Sequence, residues 1–456
     1  MFYILISALI LRLINLNQSL WLDEALQFKS IYYFSLKDLL TVYSPKDFNP
    51  PLSYIINFSF SKLFGYSEIA LRLPSVIFAL LTIWLVYKIS QLLSFKKPYL
   101  ASLLLATSGL HIYYSQEARM YSLVTLAVVG SIWALIKYLK TKNSLIWYFI
   151  FTLTLLYSHY LAWFILPAQL ILIFILKPKQ LKNIFLTQLL ALIGFLPWLP
   201  TFLQQFKTGL SVAGANQHWS SVVGGISFKN LSLIPVKFLI GRLPIDNNLF
   251  FIALLSLPFL LIIYLIFLVL KNINKNRLAG FTLFSWLTLP LIMIIFVSLK
   301  VPVLSYFRIL YLLPALYLIL TLAISYLPKS FQKPVIIFLL AINLISSSLY
   351  LFNSDFHRED WQQLTQVLKQ KNINNSPAII IPVVDAPLKY YYQASNIVSS
   401  DKIDSILDKS EIWLIPYAQP IFDPAQKINQ KILQAGFKEN YKQHFRGSLT
   451  LIQYIK

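Results

Sequence analysis

Long runs of apolar residues, separated by short polar connections, dominate the first 350 or so residues of the chain. A membrane-spanning helix needs roughly 20 mostly apolar residues, so the pattern predicts about eleven spans. Barrel strands would instead alternate apolar and polar residues. The pattern therefore predicts an α-helical polytopic membrane protein. The predicted spans cover approximately residues 2–16, 73–93, 99–113, 120–137, 145–160, 162–176, 184–202, 249–270, 279–299, 309–327 and 335–352.

The composition excludes a soluble enzyme. Of the 456 residues, 57% are hydrophobic and 12% are charged, whereas an average soluble domain carries about 25% charged residues. A soluble chain of this length would need more polar surface to cover itself. The sequence contains no cysteine, which excludes disulfides and thiolate metal sites.

The distribution of charge predicts the orientation in the membrane. Five short connections, at 94–98, 137–143, 177–183, 271–277 and 327–333, contain basic residues and no Asp or Glu. Basic loops stay in the cytoplasm, so we expect the N-terminus inside and, with an odd number of spans, the C-terminus outside. Most of the net charge of +22 lies in the membrane portion. It therefore indicates contact with anionic membrane lipid and not with nucleic acid.

Three segments are too long or too polar to be simple spans and turns. Residues 17–72 form a large first outer loop, in which apolar clusters at helical spacing predict helices along the interface. Residues 206–248, rich in Gly, Ser and Asn, predict a loop over a site, although a further span near 231–240 stays open. Residues 353–456 alternate between strand-like and helix-like patterns. They predict a small extracytoplasmic α/β domain after a multi-span module of residues 1–352.

Three acidic residues stand where outer connections meet predicted spans. Asp23 and Glu24 follow the first span in SLWLDEALQF, and Glu117 lies in the turn HIYYSQEARMYS. Ionisable groups at membrane depth are costly and are therefore functional candidates. In an enclosed site a carboxylate could take a proton from an attacking hydroxyl or hold a divalent cation. The structural alternative is that these acids stabilise helix starts.

Outer-side cations are the second group of candidates. Arg72, Arg119 and Arg308 lie where positive charge is disfavoured, and the guanidinium fork suits phosphate. They predict an anionic partner, either a lipid headgroup or a phosphorylated lipid substrate. His111 shares the turn with Glu117, and a packing role is the alternative for this histidine. The acids after His357, in HREDWQQL, are interpreted as caps of the following helix.

Taken together, these motifs resemble the GT-C superfamily of membrane glycosyltransferases, in the branch of protein O-mannosyltransferases and aminoarabinose transferases (family 39-like). The resemblance implies a GT-C fold followed by the C-terminal α/β domain. It is strong over about the first 160 residues. The segments that carry it are WLDEA, NPPLSYIINFSFSKLFGYSEIALRLPS, HIYYSQEARMYSL, SYFRILYLLPALY and HREDW.

The resemblance implies transfer of a sugar from a polyprenyl-phosphate-linked donor to a cell-envelope acceptor, which is a glycan, lipid or protein. The reaction would take place on the outer face of the plasma membrane. Asp23 matches the family's essential first-loop acid and would be the general base, with Glu24 as its companion and Glu117 as the second outer acid. The motifs also carry Arg119 and Arg308 as substrate-binding residues, and the positions of Arg72 and His111 in the sequence add these two.

Two other classes of function stay open. A transporter or lipid flippase predicts ionisable residues near mid-span, whereas those of this chain gather at the outer connections. A non-catalytic envelope scaffold would bind a partner through the outer α/β domain. No cofactor is predicted with a defined ligand set, although a divalent cation would suit the carboxylates.

Overall fold

The computed structural model describes residues 1–215, 224–243 and 249–456, and most of these residues are helical. We number the α-helices of seven or more residues in chain order and leave the 3-10 helices unnumbered. The first ten are α1 (Phe2–Leu13), α2 (Leu22–Tyr33), α3 (Leu52–Phe64), α4 (Glu68–Leu92), α5 (Leu100–Thr107), α6 (Gly109–Ser115), α7 (Tyr121–Thr141), α8 (Leu145–Leu156), α9 (Ile165–Leu176) and α10 (Leu181–Phe195). The others are α11 (Leu199–Ala215), α12 (Phe228–Ile240), α13 (Leu249–Lys271), α14 (Arg277–Ser298), α15 (Leu313–Ile324), α16 (Lys329–Phe352), α17 (Trp361–Lys371), α18 (Ala386–Tyr392) and α19 (Lys427–Gln434).

Shorter helical turns connect several of these helices. They are Leu36–Asp38, Leu39–Tyr43, Ser44–Lys46, Tyr160–Phe164, Pro178–Gln180, Leu196–Trp198, Ile273–Asn276, Leu310–Leu312, Ser354–Phe356, Pro382–Val384, Ser400–Ile406 and Gln419–Phe422.

Apolar helices form because a helix pairs its own backbone polar groups, which lipid cannot do. In the described part of the chain, five helical segments are long and apolar enough to cross a membrane: Glu68–Leu92, Tyr121–Thr141, Pro178–Ser211, Ile273–Ser298 and Lys329–Phe352. Five shorter apolar helices accompany them. Every predicted span overlaps a helix, whereas the number of spans stays a prediction.

The first outer loop is largely helical. It contains α2 and α3, and α4 begins within it at Glu68 because the Ser67 side chain caps that helix, accepting a hydrogen bond from the backbone of Ala70. Arg72 therefore lies one turn inside α4 and not in a loop. The predicted loop at 206–248 needs correction, because α12 occupies Phe228–Ile240, where the apolar residues lie. The Gly- and Asn-rich remainder of that loop falls mostly outside the described residues.

The described C-terminal residues contain a five-stranded mixed sheet with the order β2-β1-β3-β5-β4. β1 runs parallel to β2 and β3, and β5 runs antiparallel to β3 and β4. The sequence predicts β1, β3 and β5 but not the edge strands, which are short or polar and lack an apolar run. The strands are β1 (Ala378–Ile380), β2 (Ile397–Ser399), β3 (Glu411–Ile415), β4 (Lys438–Phe445) and β5 (Leu449–Ile455).

The C-terminal part is held against α2 and the start of α4. Lys29 Nζ lies 3.0 Å from Asp385 Oδ1. The Tyr390 hydroxyl donates to the carbonyl of Tyr66 at 2.8 Å, and the backbone N–H of Leu20 donates to the Tyr391 hydroxyl at 2.8 Å. The segment that carries Asp23 and Glu24 is therefore fixed by groups more than 300 residues away in the sequence.

Candidate active site

Asp23 and Glu24 lie in the first turn of α2, where the helix dipole favours negative charge. Successive residues of a helix point about 100° apart, so the two carboxylates have different surroundings. The side chain of Asp23 is 35% exposed, whereas that of Glu24 is fully buried. Adjacent residues with the same chemistry thus occupy a solvent-facing and an enclosed position.

Glu24 forms a bidentate ion pair with Arg72. Arg72 Nε lies 2.8 Å from Glu24 Oε1, and Nη2 lies 2.6 Å from Oε2. The remaining N–H groups of Arg72 donate to the carbonyls of Leu16, Gln18 and Ser19 at 2.8, 2.6 and 3.1 Å. All five donors of this guanidinium are engaged. The geometry therefore makes Arg72 an anchor of the α1–α2 connection and does not support its predicted contact with substrate.

Arg358, which follows α16, holds Glu117 through one of its two carboxylate oxygens. Its Nη1 donates to Glu117 Oε2 at 3.1 Å and to the Tyr113 hydroxyl at 3.2 Å. Its Nη2 donates to the carbonyls of Tyr113 and Gln116, and the guanidinium stacks on the Tyr113 ring, 4.3 Å from its centre. The side chains of Arg358 and Glu117 are 1% and 0% exposed. Glu117 is thus enclosed and does not face an acceptor.

The two pairs join into one buried charge network of Glu24, Arg72, Glu117 and Arg358, because Arg358 Nε lies 3.8 Å from Glu24 Oε2. Two acids and two arginines balance each other there. Burial raises the pKa of Glu117 to about 7, against the attraction of Arg358. Burial would also raise the pKa of Glu24, but Arg72 and Arg358 outweigh burial and hold it below its ordinary value.

Asp23 belongs to a different group, the rim cluster of Asp23, Asp47, Arg119 and Arg308. Asp23 Oδ2 lies 3.8 Å from Arg119 Nη2, and Asp47 accepts a hydrogen bond from the Tyr54 hydroxyl. Burial would lower the pKa of Arg119, but its acidic neighbours, Asp23 first, raise it well above its ordinary value. Arg119 is therefore charged, and its Nε is buried without a hydrogen-bond partner among the described residues.

Arg308 completes the rim cluster from the connection before α15. Its Nη1 donates to the carbonyl of Val303 at 3.2 Å. Burial lowers the pKa of Arg308, Asp23 partly opposes this, and the positive charge of Arg119 adds to the lowering. Two guanidinium groups and two carboxylates thus share the rim cluster, and the guanidinium groups are the part of it that suits phosphate oxygens.

His111 does not reach this site. It lies in α6 with 1% exposure, and its Nδ1 is 2.7 Å from Nη2 of the buried Arg12. Arg12 also donates to the carbonyls of Ala8 and Ala106. The predicted contact of His111 with substrate is therefore not supported, and the packing alternative accounts for this residue.

Two arginines of the site were missed by the sequence analysis. The HREDW segment does cap α17, since Asp360 accepts from the N–H of Gln363 at 3.1 Å, but its Arg358 closes the buried charge network. Arg242, after α12, is exposed and donates to the Tyr113 hydroxyl at 2.7 Å. A cation between apolar residues was the available signal for Arg242, as it was for Arg308, whereas Arg358 stands in a polar segment that gives no such signal.

Within residues 1–215, 224–243 and 249–456, no three His, Cys, Asp or Glu side chains lie close enough together to hold a metal ion. The suggestion that the carboxylates would suit a divalent cation stays a prediction.

The comparisons with known proteins agree with one another. The family model for dolichyl-phosphate-mannose-protein mannosyltransferase matches residues 48–200. No curated protein matches the sequence.

Solved structures match nearly the whole chain. ArnT from Cupriavidus metallidurans bound to undecaprenyl phosphate superposes with a TM-score of 0.59 at 12% identity, over 99% of this chain and 97% of that one. The oligosaccharyltransferase of Archaeoglobus fulgidus in complex with Zn and sulfate gives 0.59 at 12% identity, over 97% and 72%. AglB from Archaeoglobus fulgidus, with an inhibitory peptide and a dolichol-phosphate, gives 0.57 at 12% identity, over 98% and 73%.

At such low identity these likenesses show the fold, and the family match adds the relationship over residues 48–200. The helical architecture with apolar helices and a small C-terminal sheet is confirmed. The resemblance drawn from the sequence is confirmed to this extent: residues 48–200 match the mannosyltransferase family, and the whole chain has the fold of the solved structures named above.

Proposed function

We propose that the chain transfers a sugar from a polyprenyl-phosphate-linked donor to a hydroxyl or amine of a cell-envelope acceptor, with Asp23 as the general base. The contrast among the three predicted acids carries this proposal. Glu24 and Glu117 are fully buried against arginines, whereas Asp23 is partly exposed beside Arg119. Of the three, Asp23 is the one that an acceptor can touch.

The reaction would be a single displacement with inversion. The Asp23 carboxylate accepts the proton of the acceptor O–H or N–H as that oxygen or nitrogen bonds to the anomeric carbon of the sugar. The bond from that carbon to the donor's phosphate oxygen breaks, and its electron pair leaves with the polyprenyl phosphate. A positioned base of this kind contributes roughly 10²–10⁴-fold to the rate.

The leaving phosphate gains negative charge, which the arginines of the rim cluster would offset. Arg119 Nη2 lies 3.8 Å from Asp23 Oδ2, and the charges of Asp23 and Arg119 both act on Arg308. A guanidinium group stays charged when desolvated and suits phosphate oxygens. Preorganised cations at the position where charge develops are a large source of catalysis.

The solved relatives support the choice of donor. One of the matching ArnT structures contains undecaprenyl phosphate, and the matching AglB structure contains a dolichol-phosphate. A polyprenyl tail would lie along the apolar helices in the bilayer, with its phosphate at the rim cluster.

We also propose the orientation predicted from the basic connections, with residues 353–456 and Asp23 on the outer face. The chain lacks cysteine, so single cysteines can be introduced without background. We expect an impermeant thiol reagent applied to intact cells to label Lys371→Cys, at the end of α17. Labelling of Lys179→Cys should require permeabilised membranes. The opposite pattern would overturn the orientation.

Transfer can be tested directly with the purified chain in detergent or nanodiscs. The protein is incubated with a panel of radiolabelled polyprenyl-phosphate sugars and with cell-envelope acceptors, and glycosidic product is counted. We expect transfer by the wild type and its loss in Asp23→Asn, which keeps size and shape but cannot accept the proton. Transfer that continues unchanged in Asp23→Asn would remove the proposed base.

The matched control is Asp38→Asn, since Asp38 is exposed and contacts Ser35, outside the site. It should transfer at the wild-type rate. Movement of the polyprenyl lipid across proteoliposomes without any new glycosidic bond would favour a flippase over a transferase.

A further inference from the structure

A groove of about 660 Å³ lies between α2, the start of α4 and the C-terminal helices α17 and α18. This volume falls within the range of about 300–1,000 Å³ typical of small-molecule sites. The groove is separate from the rim cluster. Tyr32, which lines it, follows Asp23 by nine residues on α2, so the two side chains point to opposite sides of the helix.

Aromatic rings form one side of this groove. Phe28 and Tyr32 stack with their ring centres 4.9 Å apart. Tyr66 packs edge-on against Tyr32 at 5.1 Å, and Tyr390 packs edge-on against Phe28 at 4.6 Å. Tyr32 is 52% exposed, whereas Phe28 is 5% exposed. The part of this rigid aromatic surface that is open to a ligand is therefore centred on Tyr32.

The other side is polar and carries no net charge. Its hydrogen-bonding side chains include Gln362, Gln366 and Gln393, together with one acid, Glu68, and one base, Lys369. Gln366 is exposed on the outward face of α17. Amides both donate and accept hydrogen bonds, which suits hydroxyl groups. A balanced lining does not select a phosphate or another strongly charged group.

We propose that this groove binds an uncharged saccharide chain. A sugar ring presents apolar C–H faces, which pack on aromatic rings, and hydroxyl edges, which pair with amides. A peptide that binds by β-strand addition would need an open strand edge, and the groove is lined mainly by helices. The occupant therefore combines a flat apolar face with many hydroxyls.

We assign this saccharide to the acceptor, and that assignment rests on the proposed function. A ligand that fills the groove and also reaches Asp23 must pass around α2, whose diameter with side chains is about 10–12 Å, and along about 14 Å of its axis. An oligosaccharide spans that distance and a monosaccharide does not. The groove would then hold a remote part of a glycan acceptor while its reacting hydroxyl lies at Asp23.

Binding can be measured apart from catalysis in the full-length Asp23→Asn variant in nanodiscs. The probes are oligosaccharides that mild acid releases from the cell envelope of the organism that encodes this protein. They are labelled with a fluorophore after release. We expect saturable binding that Tyr32→Ala weakens by about three- to tenfold, as loss of one aromatic contact implies. Tyr32→Phe, which keeps the ring, should bind nearly as well as the parent.

The matched control is Tyr33→Ala, because Tyr33 is a neighbouring exposed tyrosine on the same helix that does not line the groove. Gln366→Arg, with Gln363→Arg as its control, tests the polar side. Absence of binding, equal effects of Tyr32→Ala and Tyr33→Ala, or Tyr32-dependent capture of envelope peptides in place of saccharides would each overturn the proposal.

A transfer assay then separates this proposal from the proposed function. In the enzyme that retains Asp23, Tyr32→Ala should raise the KM for oligosaccharide acceptors by about the factor by which it weakens binding. It should leave kcat, and the transfer to short acceptors, unchanged. If the wild type transfers sugar but Tyr32→Ala has no effect on any acceptor, the groove proposal fails while the transferase proposal stands.

Discussion

The buried charge network and the rim cluster contain the same kinds of side chain, yet their surroundings differ. In the network, Glu24 is fully buried and accepts two hydrogen bonds from Arg72 and one from the backbone of Ala118. In the rim cluster, Asp23 is partly exposed and its nearest cation, Arg119, is 3.8 Å away. The first carboxylate is saturated by partners, and the second retains capacity to bind a proton or an acceptor.

This difference separates a structural role, that of the buried charge network, from the catalytic role proposed for Asp23. The network joins α2, α4, the turn before α7 and the segment after α16, and so sets where the first turn of α2 lies. Asp23 is carried by that same turn, and its position depends on partners that it does not touch. Closely positioned reacting groups need such support from surrounding side chains.

The largest effect is expected for Asp23→Asn. Loss of the base should lower kcat by about 10²–10⁴-fold, while the thermal unfolding temperature in detergent stays at the wild-type value because Asp23 is partly exposed and its ion pair is long. Turnover and tryptophan fluorescence melting measure the two effects. A large fall in the unfolding temperature of Asp23→Asn would show that Asp23 stabilises the fold as the buried charge network does.

Glu24→Gln should act on stability first. It leaves the buried guanidinium group of Arg72 without a carboxylate and Arg358 with Glu117 as its remaining acid, and breaking a buried ion pair costs about 3–5 kcal/mol. We expect a much lower unfolding temperature and poor recovery of folded protein. If Glu24→Gln melts like the wild type and only kcat falls, Glu24 takes part in the chemistry directly.

Arg119→Gln should reduce activity and spare stability. Removal of a charge-assisted hydrogen bond to the leaving phosphate predicts a loss of about tenfold to hundredfold in kcat. Arg72→Gln is the comparison, because Arg72 has its donors engaged and should lower the unfolding temperature. Equal melting losses in the two variants would contradict the division between network and rim.

The smallest effect is a change in the pH dependence of stability in Glu117→Gln. The pKa of Glu117 is raised from 4.5 to about 7 in the folded chain, so the folded state binds more protons than the unfolded state between these values. Its contribution is fully present below pH 4.5 and is lost as the pH rises through about 7. Glutamine resembles the protonated acid, and Glu117→Gln should not show this loss.

Melting temperatures of the two proteins across pH 4.5–8 provide the measurement. The difference between them isolates Glu117 from other titrating groups, such as His357, whose pKa is lowered by burial. Parallel curves would show that Glu117 keeps its charge throughout.

Much of the fold follows from local patterns. Apolar runs place the helices of the membrane portion, and the alternation after residue 353 indicates the strands β1, β3 and β5. The edge strand β4 was missed because its sequence, KENYKQHF, is polar on both faces. The acids of the site were found because charge is costly beside long apolar runs. The sequence did not indicate that Asp23 is partly exposed while Glu24 and Glu117 are buried.

The sequence by itself determined that this protein is a helical membrane protein, where its helices lie and which ionisable residues are unusual, because hydropathy and charge cost are properties of short segments. The tertiary structure alone decided which of those residues are enclosed. Adjacent positions such as Asp23 and Glu24 differ only in the partners that distant segments bring to them. Arg358, 334 positions after Glu24, is such a partner, and no local pattern encodes a contact across that separation.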